Sequence, residues 1–242
     1  VAVVGLKREA RIAAGPGVVV IAGGASGAGL QDAVRRALAA GARAVVSVGL
    51  AGALDPALKP GDLVVGTEVA AEGRRFAADA GWAERLLVGL PGARLGRVAG
   101  AAAPLADAAA KARLRRETGA DVVDMESGAA ARAAAAAGVP LAVLRAVSDG
   151  AGRNLPRAAL AGFAADGGMD VIAVVRALLG RPFELPALVR TGIEAEAGFR
   201  ALRRGRRRLG PWLGAAPSSE QAHQHQDQAA GGGDVDEGPQ PG

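Results

Sequence analysis

Short apolar runs, each closed by a glycine or an acidic turn, recur along most of this chain. Runs at 1–4, 18–22, 44–48, 63–69, 95–99, 122–123 and 141–147 have the length of buried strands. Between them lie longer stretches with helical spacing, at about 30–40, 105–118, Ser127–Ala137, 158–179 and 186–204. Gly167-Gly168 weakens the middle of the fourth. The segment 70–91 is less regular, and its Phe76 and Trp82 belong either to a pocket or to the core. Strands alternating with helices predict an α/β fold.

Residues 120–155 are the part on which the rest converges. Val122-Val123 ends at Asp124-Met125-Glu126, and an alanine-rich helix, Ser127–Ala137, follows. Gly138 closes it, and Pro140 sets up the apolar run 141–147, which delivers Ser148 and Asp149 into a glycine-containing loop. Two parallel strands joined by a helix would bring both acidic turns to the carboxyl edge of one sheet, where open α/β folds build their sites. The alternative is that Glu126 and Asp149 are cap residues on a solvated edge.

Other strand ends add candidates. Glu9, just past Gly5, is either an inward-facing carboxylate or a surface partner of Arg8 or Arg11. Glycines at 23, 24, 27 and 29 lead into a helix, where they permit φ > 0 and let a ligand approach backbone N–H groups. Their spacing departs from the dinucleotide fingerprint, no acidic residue ends the next run, and no Gly-Lys-Ser/Thr occurs, which excludes a P-loop. Gly49, Ala51 and Gly52 can offer backbone hydrogen bonds in a tight pocket. Asp62, after Lys59-Pro60-Gly61, reads as a turn residue.

Composition narrows the chemistry. With 242 residues, 50% of them hydrophobic, the chain can bury one sizeable core. It has no cysteine, so disulfides and thiolate metal sites are excluded. Its two histidines, His223 and His225, lie in a polar tail without further ligands, so a histidine-based centre in the folded part is excluded and no metal is expected. No apolar run is long enough to span a bilayer and no leader is evident, so a cytoplasmic protein is expected. The net charge of +5 conceals a basic cluster, Arg200, Arg203, Arg204, Arg206, Arg207 and Arg208, followed by a tail whose only charges are acidic. Few aromatics and no tyrosine leave little for nucleic acid to stack on, and no nucleic-acid partner is expected. The arginines either touch anionic lipid headgroups as a peripheral contact or form a solvated helix face. The folded domain is expected to span 1–212, and 213–242, rich in Ala, Gly, Gln, Ser and Pro, to be disordered.

The acidic turns suggest a reaction. A helix N-terminus favours negative charge, so Glu126 is expected to be ionised. An ionised carboxylate accepts two hydrogen bonds at once, which suits a vicinal diol such as a ribose 2′,3′ pair. Met125 offers an apolar surface beside it. Asp149, next to Ser148 in a partly dry cleft, can serve as a general acid. Glu9 could then orient or deprotonate a nucleophile. No cofactor is required.

These motifs carry a family resemblance. Asp124-Met125-Glu126-Ser127, Val139-Pro140 and Arg145-Ala146-Val147-Ser148-Asp149 resemble the double signature of the nucleoside phosphorylase and methylthioadenosine–adenosylhomocysteine nucleosidase superfamily. Gly49-Leu50-Ala51-Gly52-Ala53-Leu54 and Lys59-Pro60-Gly61-Asp62-Leu63-Val64-Val65 resemble its glycine-rich loop and following strand, and Gly27-Ala28-Gly29 its phosphate or sugar-edge loop. Gly5-Leu6-Lys7-Arg8-Glu9-Ala10 and Arg181-Pro182 look most like the hopanoid-associated phosphorylases.

The resemblance implies a three-layer αβα fold around a central mixed, partly barrel-like sheet. It implies cleavage of a purine N-glycosidic bond, most closely the release of adenine from adenosylhopane, with inorganic phosphate or water as nucleophile. The alternatives are a nucleosidase acting on soluble methylthioadenosine or adenosylhomocysteine, and a non-catalytic nucleoside-binding module. Asp149 would protonate purine N7, with Ser148 positioning it. Glu126 and Met125 would hold the sugar, Ala51 and Gly52 would line the substrate pocket, and Glu9 would activate water. Gly27, Gly29 and Ser47 would form the phosphate or sugar edge. Ser47 and Leu50 stand where hexameric phosphorylases carry their phosphate-binding Arg and Ser, so hydrolysis is a serious option unless Arg8, Arg11 or a partner subunit's arginine supplies the charge. A lipid-linked substrate would need an apolar exit, with Phe163, Leu178, Leu179 and Phe183 as candidates. A homo-oligomer is expected.

Overall fold

The computed structural model describes residues 1–23, 27–161 and 171–216. Its strands are β1 (Ala2–Val4), β2 (Val20–Ala22), β3 (Val45–Ala53), β4 (Leu63–Ala71), β5 (Arg74–Ala77), β6 (Arg94–Gly100), β7 (Val122–Asp124) and β8 (Leu141–Asp149). Its helices are α1 (Lys7–Ala13), α2 (Gly27–Ala39), α3 (Ala80–Gly89), α4 (Ala108–Thr118), α5 (Ser127–Ala137), α6 (Arg157–Ala161), α7 (Val171–Leu179) and α8 (Leu185–Arg208), with a 3₁₀ turn at Pro182–Glu184.

Two cores, one on each face of the sheet, make three layers. The alternation of the strands assigns residues to them: Val3, Val45 and Val143 belong to one core, while their neighbours Ala2, Val4, Val46, Ala142 and Leu144 belong to the other. The first core is closed by α2 and α5, whose Leu30, Val34 and Ala129–131 are buried there. The second is closed by α3 and α8 through Trp82, Leu86, Ala201 and Leu202. Phe76 and Trp82 are core residues rather than pocket lining.

Partial barrel closure follows from two long strands that divide an edge between partners. The first half of β3 pairs with β1 and its second half with β7, while β8 runs along the other side. The first half of β4 pairs antiparallel with β8 and its second half with β5, while β6 lies opposite. With β6 beside β7, the strands β3, β7, β6, β4 and β8 close a ring, and β1–β2 and β5 extend from it.

The expected parallel pair around the acidic turns is not what forms. β7 is antiparallel to β3 and β8 is parallel to it, so the two strands oppose each other across β3. β7 heads from the level of Ala53 toward Ala51, and β8 begins beside Val45. Helix α5, about 16 Å long at 1.5 Å per residue, carries the chain further in the direction β7 was already travelling. The chain therefore reverses into β8 rather than crossing over.

The predicted helix over 158–179 appears as α6 and α7, and residues 162–170, with Phe163 and Gly167-Gly168, lie outside the described residues. The predicted boundary at 212–213 falls within a packed segment. Leu213 is 1% exposed, its carbonyl accepts from Trp82 Nε1 at 2.9 Å, and the Gly214 carbonyl accepts from Arg85. Residues 217–242, including His223 and His225, are outside the described residues. No helix among the described residues is long and apolar enough to cross a membrane.

Candidate active site

One polar cluster is buried beneath the amino ends of α1 and α5. At its centre is Arg145 of β8, fully buried. Its Nη2 donates to the hydroxyls of Ser47 and of Ser127 (3.0 Å), and its Nε lies 2.7 Å from Asp124 Oδ2. Asp124 also caps α5: Oδ1 accepts from the backbone N–H groups of Glu126 (2.8 Å) and Ser127 (2.7 Å). The carboxylate stationed at the helix start is therefore Asp124. Glu126 makes no capping bond and extends the other way. The sugar-edge position expected for Ser47 is likewise replaced by an internal one, because its hydroxyl belongs to the arginine.

Glu126 reaches the carboxyl ends of β1 and β2. A Cβ on Gly5 would lie 2.5 Å from its Oε1, and one on Gly23 would lie 3.4 Å from its Cγ, so only glycine leaves it room at Gly5. Burial raises its pKa from the ordinary 4.5 to about 7, with nearby Asp124 and Glu9 adding to the rise and Arg145 opposing it. Desolvation thus outweighs the helix-terminus effect that predicted a fully ionised side chain. Met125, beside it, is half-buried.

Glu9 is 3% exposed, so its inward-facing reading holds geometrically. Its Oε2 accepts from Gly5 N and Leu6 N, both at 2.8 Å, and its Oε1 from Leu50 N at 2.7 Å. Burial pushes its pKa up against those bonds and against Arg145. The three groups converge on one spot: a Cβ on Gly49 would lie 2.5 Å from Arg145 Nη1 and 2.9 Å from Glu9 Oε1. Nη1 is 3.8 Å from Glu126 Oε2 and has no hydrogen-bond partner among the described residues. A buried donor beside two carboxyl groups that can take a proton is a setting for binding and deprotonating a small hydroxylic nucleophile.

Asp149 lies farther along β3. The β3–β8 register pairs Ala51 with Val147 and Gly52 with Asp149, so Ser148 is the extra residue of a β-bulge. The bulge turns Ser148 and Asp149 into one neighbourhood. The Ser148 hydroxyl lies 2.7 Å from Asp149 Oδ1 and 3.2 Å from the Ala51 carbonyl, and a Cβ on Gly52 would come within 3.3 Å of Asp149 Oδ2. The backbone of β3 thus serves both ends of the site, through Leu50 N at Glu9 and Ala51 O at Ser148.

Asp149 also forms an ion pair with Lys111 of α4, a residue assigned no role from sequence. Lys111 is 1% exposed. Only three lysines occur among 29 basic side chains, which is the one sequence signal that marks it. Arg145 and Asp124 stood inside the quoted motifs, but nothing local assigned them to each other.

The remaining candidates are dispersed. Gly27 and Gly29 form the first turn of α2, with 24–26 outside the described residues. Arg8 turns toward α8, pairing with Glu196 at 2.5 Å and stacking 4.0 Å from the centre of the Phe199 ring, while Arg11 is exposed. The arginine cluster divides: Arg200 and Arg203 pair with Glu196, and Arg206 donates to the carbonyls of Ala13, Ala14, Gly210 and Pro211. Asp62 is a turn residue, accepting from Lys59 N.

Residues 7–180 match the family described as the Phosphorylase superfamily, and the chain belongs to it. Family and fold together make it an enzyme of the nucleoside phosphorylase or nucleosidase type. Among solved structures, it resembles the methylthioadenosine/S-adenosylhomocysteine nucleosidase of Colwellia psychrerythraea in complex with adenine, at 20% identity over 74% of this chain and 93% of that one, with a TM-score of 0.57. The corresponding enzyme of Neisseria meningitidis, in complex with methylthio-immucillin-A, gives 20%, 85%, 96% and 0.59. The futalosine hydrolase of Helicobacter pylori gives 15%, 86%, 94% and 0.60. At these identities the likeness establishes the fold. The family match is to the superfamily as a whole and does not single out its hopanoid-associated branch. A search of curated proteins gave no match.

Proposed function

We propose that this enzyme hydrolyses the N-glycosidic bond of adenine nucleosides bearing a 5′ thioether, with the soluble methylthioadenosine and adenosylhomocysteine as first substrates. The observation that carries the reading is the spot above Gly49. There Glu9, raised in pKa by burial, and Arg145 Nη1, a buried donor without a partner among the described residues, stand beside Glu126. In this reading Glu126 and Met125 hold the ribose. Glu9 takes a proton from water as it attacks the anomeric carbon, and Asp149, positioned by Ser148, supplies a proton to the departing purine. The glycosidic electron pair leaves with the base.

Water is favoured over phosphate because, Arg145 Nη1 apart, the arginine nitrogens near the spot are committed. Arg145 is fully buried among Asp124, Ser47 and Ser127, and Arg8 is turned onto Glu196 and Phe199. The structures of similar fold named above include nucleosidases for these thioethers.

Adenosylhopane is the second reading. In its favour are apolar side chains standing in solvent on α7 and the turn after it: Ile172, Val175, Leu179 (78% exposed) and Phe183 (72%). Leu178 is half-buried. A lipid tail, a membrane surface approached with the arginines of α8, or a second copy of the chain would each cover such a surface.

The deciding experiment measures adenine release from methylthioadenosine, adenosylhomocysteine and adenosylhopane, each with and without phosphate. Phosphate-independent release from the thioethers is expected. Release only with phosphate, giving a phosphorylated sugar, would replace hydrolysis by phosphorolysis. Release from adenosylhopane alone would establish the second reading.

A further inference from the structure

Lys111 makes three contacts with its three N–H donors: Asp149 Oδ2, the Gly150 carbonyl at 3.0 Å and the Arg153 carbonyl at 3.3 Å. A buried ammonium is costly to desolvate unless it is fully paired, as this one is. The loop it touches is fastened without it. Leu155 N donates to the Ala106 carbonyl (2.7 Å), Ala108 N donates to Asn154 Oδ1 (2.8 Å), and Arg153 pairs with Glu194 of α8 (3.4 Å). Holding the loop therefore does not account for a buried charge aimed at Asp149.

A general acid must carry a proton when the bond breaks. Asp149 instead accepts from two donors, an ammonium and a hydroxyl, as a carboxylate does. Of these donors only the ammonium can surrender a proton and remain stable, as a neutral amine. We infer that Lys111 is a positioning residue that stores the proton Asp149 delivers. The inference rests on the reading of Asp149 as the acid. Lys111 passes a proton to Asp149 Oδ2, leaving a neutral amine beside a neutral carboxyl group. Asp149 gives that proton to the purine nitrogen as the glycosidic pair departs with the base, which restores its carboxylate. Lys111 regains a proton from water after the base has gone. Pairing a lysine rather than an arginine suits the role, since an arginine does not deprotonate in proteins.

Other charges on α4 and the loop are either exposed, as Arg113, Arg116 and Glu117 are, or already paired. On α4, Asp107 caps the helix through Ala110 N, and Arg115 pairs with Asp55 and Asp121; in the loop, Arg153 pairs with Glu194. Among the described residues, Asp149 is the one carboxylate that meets Lys111 directly.

The test compares pH–rate profiles of adenine release from methylthioadenosine, over about pH 5 to 9, for the wild type, Lys111→Met, Lys111→Gln and Asn154→Ala. Lys111→Gln keeps a donor for the loop carbonyls and removes the charge. Asn154→Ala removes a loop fastening and leaves the charge. Both lysine variants are expected to lose about 10- to 100-fold in kcat with KM changed less than about threefold, and their alkaline limb to move down by at least about one pH unit. Asn154→Ala should keep the wild-type profile. A lower kcat with an unmoved limb, or the same loss in Asn154→Ala, would overturn the inference while leaving the proposed reaction intact. So would unfolding of both lysine variants, seen by circular dichroism, because the lysine would then be a structural pin. No release by the wild type would overturn the proposed reaction and the inference together.

Discussion

The two ends of the site solve one problem differently. Each buries a cation among acidic or polar groups, yet at one end the cation is Arg145 and at the other Lys111. Arg145 shares its planar fork among Asp124, Ser47 and Ser127 and leaves Nη1 beside Gly49 without a hydrogen-bond partner among the described residues. Lys111 spends all its donors on Asp149 and two carbonyls. The arginine is a fixed charge that organises; the lysine, on the inference above, lends its proton to its partner. The carboxyl groups differ as well: Glu9 and Glu126 are raised in pKa by burial, whereas Asp149 is paired with a buried ammonium.

The strongest way to break this contrast is Asp149→Asn. It should cut kcat by about 10²- to 10⁴-fold with binding of methylthioadenosine largely kept, measured by steady-state adenine release and calorimetry. Near-normal turnover would remove Asp149 from the acid role. Next comes Glu9→Gln, expected to lower hydrolysis by about 10²-fold while phosphate restores nothing; recovery with added phosphate would mean the other nucleophile. Gly49→Ala should act at the same end by steric conflict, because the new methyl would meet Arg145 Nη1 at 2.5 Å. A loss of rate and a lower Tm are expected together, and an active, equally stable variant would show that Arg145 has room to move.

A further difference is thermodynamic. Glu126 holds its proton in the fold up to about pH 7, whereas the unfolded chain releases it near 4.5. The native state therefore binds more protons in that window, and stability should fall as pH rises from about 4.5 to 7. Glu126→Gln should flatten that slope in Tm measured against pH, while weakening both KM and kcat. An unchanged slope would place the titration elsewhere. The smallest effect is expected from Arg8→Ala: Arg8 lies on the α8 side, and activity should stay the same with or without phosphate. Loss of a phosphate response would give Arg8 the role that its contacts with Glu196 and Phe199 deny it.

Much of this was legible from local pattern. The strands at 1–4, 63–69 and 141–147, the cap Gly138 and the turn residue Asp62 follow from apolar runs meeting glycines and acids, whereas local pattern left Glu9 between an inward and a surface position. Direction was not legible at β7, a three-residue strand whose orientation depends on which half of β3 it meets. Nor was the cap at α5, where Asp124 and Glu126 are both acids near a helix start and only the bonds to Glu126 N and Ser127 N distinguish them. Lys111 was hidden for a similar reason. It faces Asp149 from 38 positions away, and an alanine-rich helix offers no local hint of which side is covered.

The bulge at Ser148 carries a consequence for how this site can change over generations. The interval between Leu50, which holds Glu9, and Gly52, which faces Asp149, is two residues of β3, about 7 Å of peptide. No exchange of side chains lengthens or shortens that ruler. Point substitution can retune either end alone, while loss of the single bulged residue, which stands directly before the last residue of β8, would re-aim Asp149 and the loop that follows it. The substrate can drift; the register cannot.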